Sequence, residues 1–265
     1  MKFIISIALA FALNGTALAQ TAPNTKNLGE PKTALYVGNS FFYYNNGMSS
    51  MVNRLLMAAD AQNRAQYRST MVTISGSGLN WHDMESHFKP GTGMASYSFT
   101  PDNKVTFNKF EKPFDVVVMM DCSQCPIHPQ LKDAFHEFVR KDSQIVRKYG
   151  AKPVLFMSWA YADKPEMTQQ LAEQYTTAGN ANQALVVPAG LAFAKAISRD
   201  PKINLYDADK RHPSLAGSYL GAATIAAAVF NKSPVGNSYT AGLDPATAAF
   251  LQQVAADTVK EYLGL

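Results

Sequence analysis

Cysteine is almost missing from the sequence: Cys122 and Cys125 are the only two. A disulfide-built scaffold is thereby excluded, although two cysteines in one short loop can pair in an oxidising compartment. Charge is sparse, with 17% charged residues and a formal net charge of +4. No run of Lys and Arg occurs, so nucleic acid and anionic membranes are poor partners. Beyond the first twenty residues, no segment is long and apolar enough to span a bilayer. Internal repeats, low-complexity tracts, phosphate loops and dinucleotide fingerprints are missing as well. What is present is 47% apolar residues, enough for one sizeable core.

The chain opens MKFIISIALAFALNGTALAQ, with one Lys, an apolar stretch, and Ala17-Leu18-Ala19 ahead of Gln20. That three-part plan predicts a secretory signal over residues 1–19, cut after Ala19. It places the mature chain outside the cytoplasm, in a bacterial periplasm. Losing one Lys leaves 23 basic against 20 acidic residues, a net charge of +3. About 245 residues then remain, a length that fits one domain. Residues 20–32 read as a polar leader and 33–265 as the domain. Nothing in the sequence fixes an oligomeric state.

From Thr33 the chain alternates strand-like and helix-like segments. Expected strands are Thr33–Val37, Gln66–Ile74, Val116–Met120, "PVLFMSW", "ALVVP" and a short "INLYD". Expected helices begin near Met48, span Pro129 to Tyr149, begin near Pro165, and cover Leu191 to Ser198. Two more close the chain, one after Pro213 and one from Pro245 to Leu263. Such alternation predicts an α/β fold: a three-layer α/β/α sandwich on a mostly parallel, five-stranded sheet. An inserted hairpin is expected around residues 83–113, where Gly and Pro signals interrupt the pattern. Ligands of open sheets bind beyond the carboxyl ends of the strands. That edge carries Gly38-Asn39-Ser40, Ser75 to Gly78, Asp121 to Gln124, Trp159, and the stretch from Asp207 to His212.

Ser40 stands at a strand-to-helix turn. The plain reading is a helix N-cap, and the Gly-x-Ser-x-Gly elbow is absent, with Phe42 in the last place. "YDADKRHPS" adds a second piece, with Asp209 three residues before His212. At that spacing a tight turn lets the carboxylate reach the imidazole Nδ1, leaving Nε2 free as a base. On one predicted rim, Ser40, His212 and Asp209 can form a nucleophilic unit.

Here "YVGNSFF" resembles the first block of the SGNH, or GDSL-like, esterases, with Asn39 in place of their Asp. "DADKRHPS" resembles their last block, and the likeness runs from about Thr33 to Phe230. It follows a secreted bacterial branch that has His after the second strand and Trp-Ala-Tyr after the fourth, here His82 and Trp159-Ala160-Tyr161. The resemblance implies a flavodoxin-like sheet and a catalytic triad of nucleophile Ser40, base and acid His212, and orienting Asp209. It implies an oxyanion hole made by the N–H groups of Ser40 and Gly78, with Gly76 as second choice for the glycine. A side chain from the third block would complete the hole. That block departs from the family pattern: "MMDCSQCP" offers no Asn, leaving Ser123 or Gln124.

The implied activity is ester hydrolysis through an acyl-enzyme, with a short acyl group removed from a carbohydrate or another small polar substrate. No cofactor and no metal is implied. His82 and Trp159 are expected at the substrate. His82, Asp83, Glu85 and His87 match no usual zinc spacing. Three other readings stay open: a binding or accessory protein on the same fold, an O-acyltransferase, and a Cys-x-x-Cys thiol oxidoreductase. Cys122 and Cys125 are read as a local disulfide that stiffens the oxyanion loop.

Overall fold

The computed structural model describes residues 21–89, 97–107 and 112–265. The expected signal peptide lies outside them. Five parallel strands form the sheet: β1 (Thr33–Gly38), β2 (Arg68–Thr73), β5 (Val116–Met119), β6 (Lys152–Phe156) and β7 (Leu185–Val187), in the order β2-β1-β5-β6-β7. β1 is an interior strand, pairing Thr33 with Arg68 on one side and Ala34 with Val116 on the other. Both faces are covered, and β1, β5, β6 and β7 are accordingly apolar at nearly every position.

The connections explain the layers. The crossover from β1 to β2 runs through α2 (Met48–Ala59), and those from β5 to β6 to β7 through α3 (Lys132–Lys148) and α4 (Met167–Ala181). Because the strand order moves in opposite directions from β1 and from β5, right-handed crossovers put α2 on one face and α3 and α4 on the other. On the α2 side, α6 (Leu215–Phe230) packs between α2 and α7 (Pro245–Leu263), with α5 (Ala189–Arg199) beside it. α6 is buried along almost its whole length, as a helix apolar on all sides must be. β3 (Tyr97–Phe99) and β4 (Val105–Phe107) pair antiparallel, apart from the main sheet. Leader residues 21–32 lie on the body, with Leu28 buried and Asn24 bonded to the Asn180 side chain.

Two elements differ from the sequence reading. The helix expected from Pro129 starts at Lys132, because the chain first makes a 3-10 turn at Cys125–Ile127. "INLYD" is not a strand of the sheet. Its backbone turns to the chain coming back: Leu205 C=O accepts from Ser214, Tyr206 bridges Pro213, and the Asp207 N–H donates to His212 C=O. The result is a tight loop with Asp209 and His212 at its tip.

Candidate active site

β1 delivers Ser40 to the carboxyl edge of the sheet, where it opens the four-residue helix α1 (Ser40–Tyr43). Asn39 caps that helix by accepting the Phe41 N–H at 3.2 Å. Its Nδ2 donates to the Ser77 carbonyl at 3.0 Å and to the Asp121 carbonyl at 3.1 Å. One amide thus joins the turns after β1, β2 and β5. An aspartate at 39 could not do so, since a carboxylate has no donor.

His212 Nε2 lies 2.8 Å from Ser40 Oγ. Its Nδ1 meets Asp209 Oδ2, while Asp209 Oδ1 accepts the N–H groups of Arg211 and His212 at 2.9 Å each. Burial works to raise the Asp209 carboxyl, but the bonds from the His212 ring and the two amides outweigh it and bring it down to about 2. Asp209 is therefore ionised at neutral pH and aimed at the imidazole. The ring plane is fixed too: Tyr44 stacks on it at 4.2 Å and Phe41 meets it edge-on at 5.5 Å. Asn45 adds a brace, donating to Pro213 C=O and Ser218 Oγ at 2.9 and 2.8 Å. The aromatic run after Ser40 thus also holds the histidine.

Among the described residues, no acceptor faces the N–H of Ser40 or of Gly78. Gly78 is in an extended conformation, so its need for glycine comes from close approach. A Cβ there would meet Asp121 Oδ1 at 2.6 Å and Asn80 Oδ1 at 2.7 Å. Two free amides beside an activated hydroxyl can receive a developing oxyanion.

No protein-family model matches the chain, and no curated protein does. Solved structures do. A DUF4886 family protein from Bacteroides uniformis aligns at TM-score 0.57 and 16% identity, over 86% of this chain and 94% of its own. A candidate SGNH hydrolase from Slackia heliotrinireducens aligns at TM-score 0.53 and 23% identity, over 74% and 97%. The acetyl xylan esterase AlAXEase gives TM-score 0.54 and 14% identity, over 74% and 99%. The fold is that of the SGNH hydrolases.

On the SGNH fold the third block is the unusual part. Asp121 is buried, and Oδ1 accepts the N–H groups of Cys122 at 2.7 Å and Leu79 at 3.2 Å. Burial pushes this carboxyl up to about 6, against the pull of those amides. Cys122 and Cys125 are joined as a disulfide. Asp121 and the two sulfurs lie within 4.8 Å of one another, but sulfurs bonded to each other are not thiolate ligands. Of the two expected donors, Ser123 is engaged with Tyr161 OH at 2.7 Å. The partly exposed Gln124 amide has no partner among the described residues. Asn80, exposed beside Gly78, is a third amide on this SGNH rim that the sequence reading missed. Its signal was position alone, two residues past the glycine.

Two expected substrate contacts are corrected. Trp159 is fully buried, stacked between Phe41 at 4.7 Å and Phe193 at 4.2 Å, and its Nε1 donates to Arg211 C=O. It supports the His212 loop from below. His82 is 8% exposed and turned toward the backbone, with Nε2 3.1 Å from Gly38 C=O and 3.0 Å from Ser77 Oγ. Both side chains are buried and turned inward. Of the other polar residues nearby, Glu85 accepts from Lys148 and Tyr149, and Asp83 caps a turn through Ser86.

Proposed function

We propose that this chain is a secreted serine ester hydrolase that removes a short acyl group, such as acetyl, from a carbohydrate or another small polar ester. One observation carries the reading: Ser40 Oγ, the two nitrogens of His212 and the Asp209 carboxylate stand in one hydrogen-bonded line. In the reaction, Ser40 Oγ attacks the ester carbonyl carbon as His212 Nε2 takes its proton. The carbonyl oxygen becomes an oxyanion and is met by the Ser40 and Gly78 N–H groups. As the C–O bond to the alcohol breaks, His212 returns the proton to the leaving oxygen. Water then repeats the attack on the acyl-Ser40 ester with His212 as base, releasing the acid. Asp209 keeps Nδ1 protonated and stabilises the imidazolium between steps.

Secretion is supported by the N-terminal sequence pattern and by the Cys122–Cys125 disulfide, which suits an oxidising compartment. The likeness to an acetyl xylan esterase supports a short acyl group. The test is hydrolysis of p-nitrophenyl acetate, butyrate and octanoate, with fluorophosphonate labelling and peptide mapping. Turnover should fall with acyl length and the label should sit on Ser40. A label on another serine, or no turnover of any ester, overturns the reading.

A further inference from the structure

The Gly38 carbonyl, two residues before Ser40, is approached from three directions. The Ile74 N–H donates to it at 3.0 Å, Ser77 Oγ donates at 3.0 Å, and His82 Nε2 lies at 3.1 Å. His82 Nε2 is also 3.0 Å from Ser77 Oγ. The proton inventory selects a tautomer. Ser77 has one hydroxyl proton, and it points to Gly38. A bare Nε2 would set a lone pair against the carbonyl oxygen, so Nε2 carries the proton and Nδ1 does not. Burial, with His87 alongside, keeps the ring's pKa below the usual histidine value, so it stays neutral near pH 7.

Peptide planarity gives this cluster its reach. Ser77 C=O and Gly78 N–H belong to one planar trans peptide and point opposite ways. Asn39 Nδ2 holds the Ser77 C=O at 3.0 Å, while Gly38 C=O holds the Ser77 hydroxyl. Ser77 is thus pinned at two atoms, and the plane that carries the Gly78 N–H is pinned with it. Both pins come from the two residues that precede Ser40. Ser77 is fully buried, so water cannot replace them.

We propose that His82 is a positioning residue that, through Ser77 and the Gly38 carbonyl, fixes the aim of the Gly78 N–H at the oxyanion. The role rests on the ester-hydrolase reading above. It assigns His82 a place behind the oxyanion hole, and it favours Gly78 over Gly76 as the amide in use. Gly76 is exposed, and a Cβ there would meet nothing within 4 Å.

The experiment uses the mature protein and p-nitrophenyl acetate, with phenylboronic acid as a tetrahedral mimic. His82→Leu should lower kcat about 10- to 100-fold, as expected for a misplaced oxyanion donor, and leave KM within about two-fold. Boronate affinity should fall with kcat. His82→Gln, which restores a donor near the Nε2 position, should recover most of the loss. Ser77→Ala should resemble His82→Leu, and the double variant should be no worse than either, because both act on one carbonyl. His87→Leu, a buried neighbour with no bond to the turn, should lower Tm while kcat holds. Long-range 1H–15N spectra of the wild type should show His82 neutral and protonated on Nε2 at pH 7. A protonated Nδ1, a His82→Leu kcat within about two-fold of wild type, or a Gln variant as poor as Leu overturns the proposal. So does an additive double variant. A wild type that cleaves no ester and binds no boronate instead overturns the ester-hydrolase reading, and the clamp's catalytic purpose with it.

Discussion

After β1 the chain turns through Gly38, Asn39 and Ser40; one strand over, after β5, it turns through Asp121, Cys122, Ser123 and Gln124. Both turns sit on the same rim, and Asn39 bonds one to the other. They are built differently. In the first, the atoms that matter are side-chain atoms: Ser40 Oγ, the Asn39 amide, and the rings of Phe41 and Tyr44 against His212. In the second, a disulfide and a buried carboxylate gather backbone amides. A nucleophile and its base demand particular residue types, whereas an amide-lined hole needs mainly a backbone path. The second turn can therefore vary in its side chains more freely than the first, where Ser40 and its partners must be present.

The comparison breaks most directly at the first turn. Ser40→Ala and His212→Ala should each lower ester turnover about 10⁴-fold or more, and together no further, since a catalytic unit fails as a whole. Measured kcat values for the singles and the double decide it. Losses that multiply would mean that Ser40 and His212 do not act as one unit.

Asp209→Asn should cost less, about 10²- to 10³-fold, because Asp209 is half-exposed and solvent can partly replace it. The carboxyl near 2 adds a pH signature. A depressed carboxyl contributes stability that is present above its unfolded value and lost as pH falls through the folded one. Asp209 thus remains ionised down to about pH 3, and acid loss of activity above that is not loss of this carboxylate. Asp209→Asn should therefore lower kcat by the same factor at pH 5 and at pH 8, and a deficit confined to one of them would mean that an ionised carboxylate is not what the variant removes.

How much of this was legible in the sequence follows the same division. β1 and β5 announce themselves by uninterrupted apolar runs, α7 by Pro245 and its spacing, and the hydrogen-bonded line by Ser40 behind β1 and Asp209 three residues before His212. What stayed hidden depends on where side chains turn. Trp159 and His82 read as substrate contacts because they follow strand ends, yet both point inward, and no one-dimensional pattern distinguishes the two directions. "INLYD" has the composition of a strand, but residues 212–214 return in time to take its hydrogen bonds. Asn80 and Asn45 are exposed or half-buried amides, without periodicity or motif to mark them.

The second turn can be probed by its uncommitted donors. Gln124→Ala should lower kcat about 10- to 100-fold if its amide completes the hole. Ser123→Ala should cost less, since that hydroxyl is already held by Tyr161. Asn80→Ala is the discriminating third variant. If it proves the most damaging of the three, the donor comes from the Gly78 turn and the third block serves only as scaffold.

The smallest effect concerns what lies beneath the second turn. Asp142, on α3, is 3% exposed and its Oδ2 has no partner among the described residues. Burial, then the nearby Asp121, push it up to about 7, and burial pushes Asp121 itself up to about 6. With folded values above the unfolded ones, the native state binds more protons than the unfolded chain between about pH 4 and 7. Stability is therefore fully present below pH 4 and lost as pH rises through that window. Asp142→Asn removes the larger part of this penalty without touching the reacting groups. The variant should match wild type in kcat, melt close to it at pH 4, and melt about 5 °C higher at pH 8. Tm measured by calorimetry at both pH values is the check. Equal gains at the two would mean that packing, and not a buried charge, separates Asp142 from its amide. The acidic support would then be no part of what distinguishes the two turns.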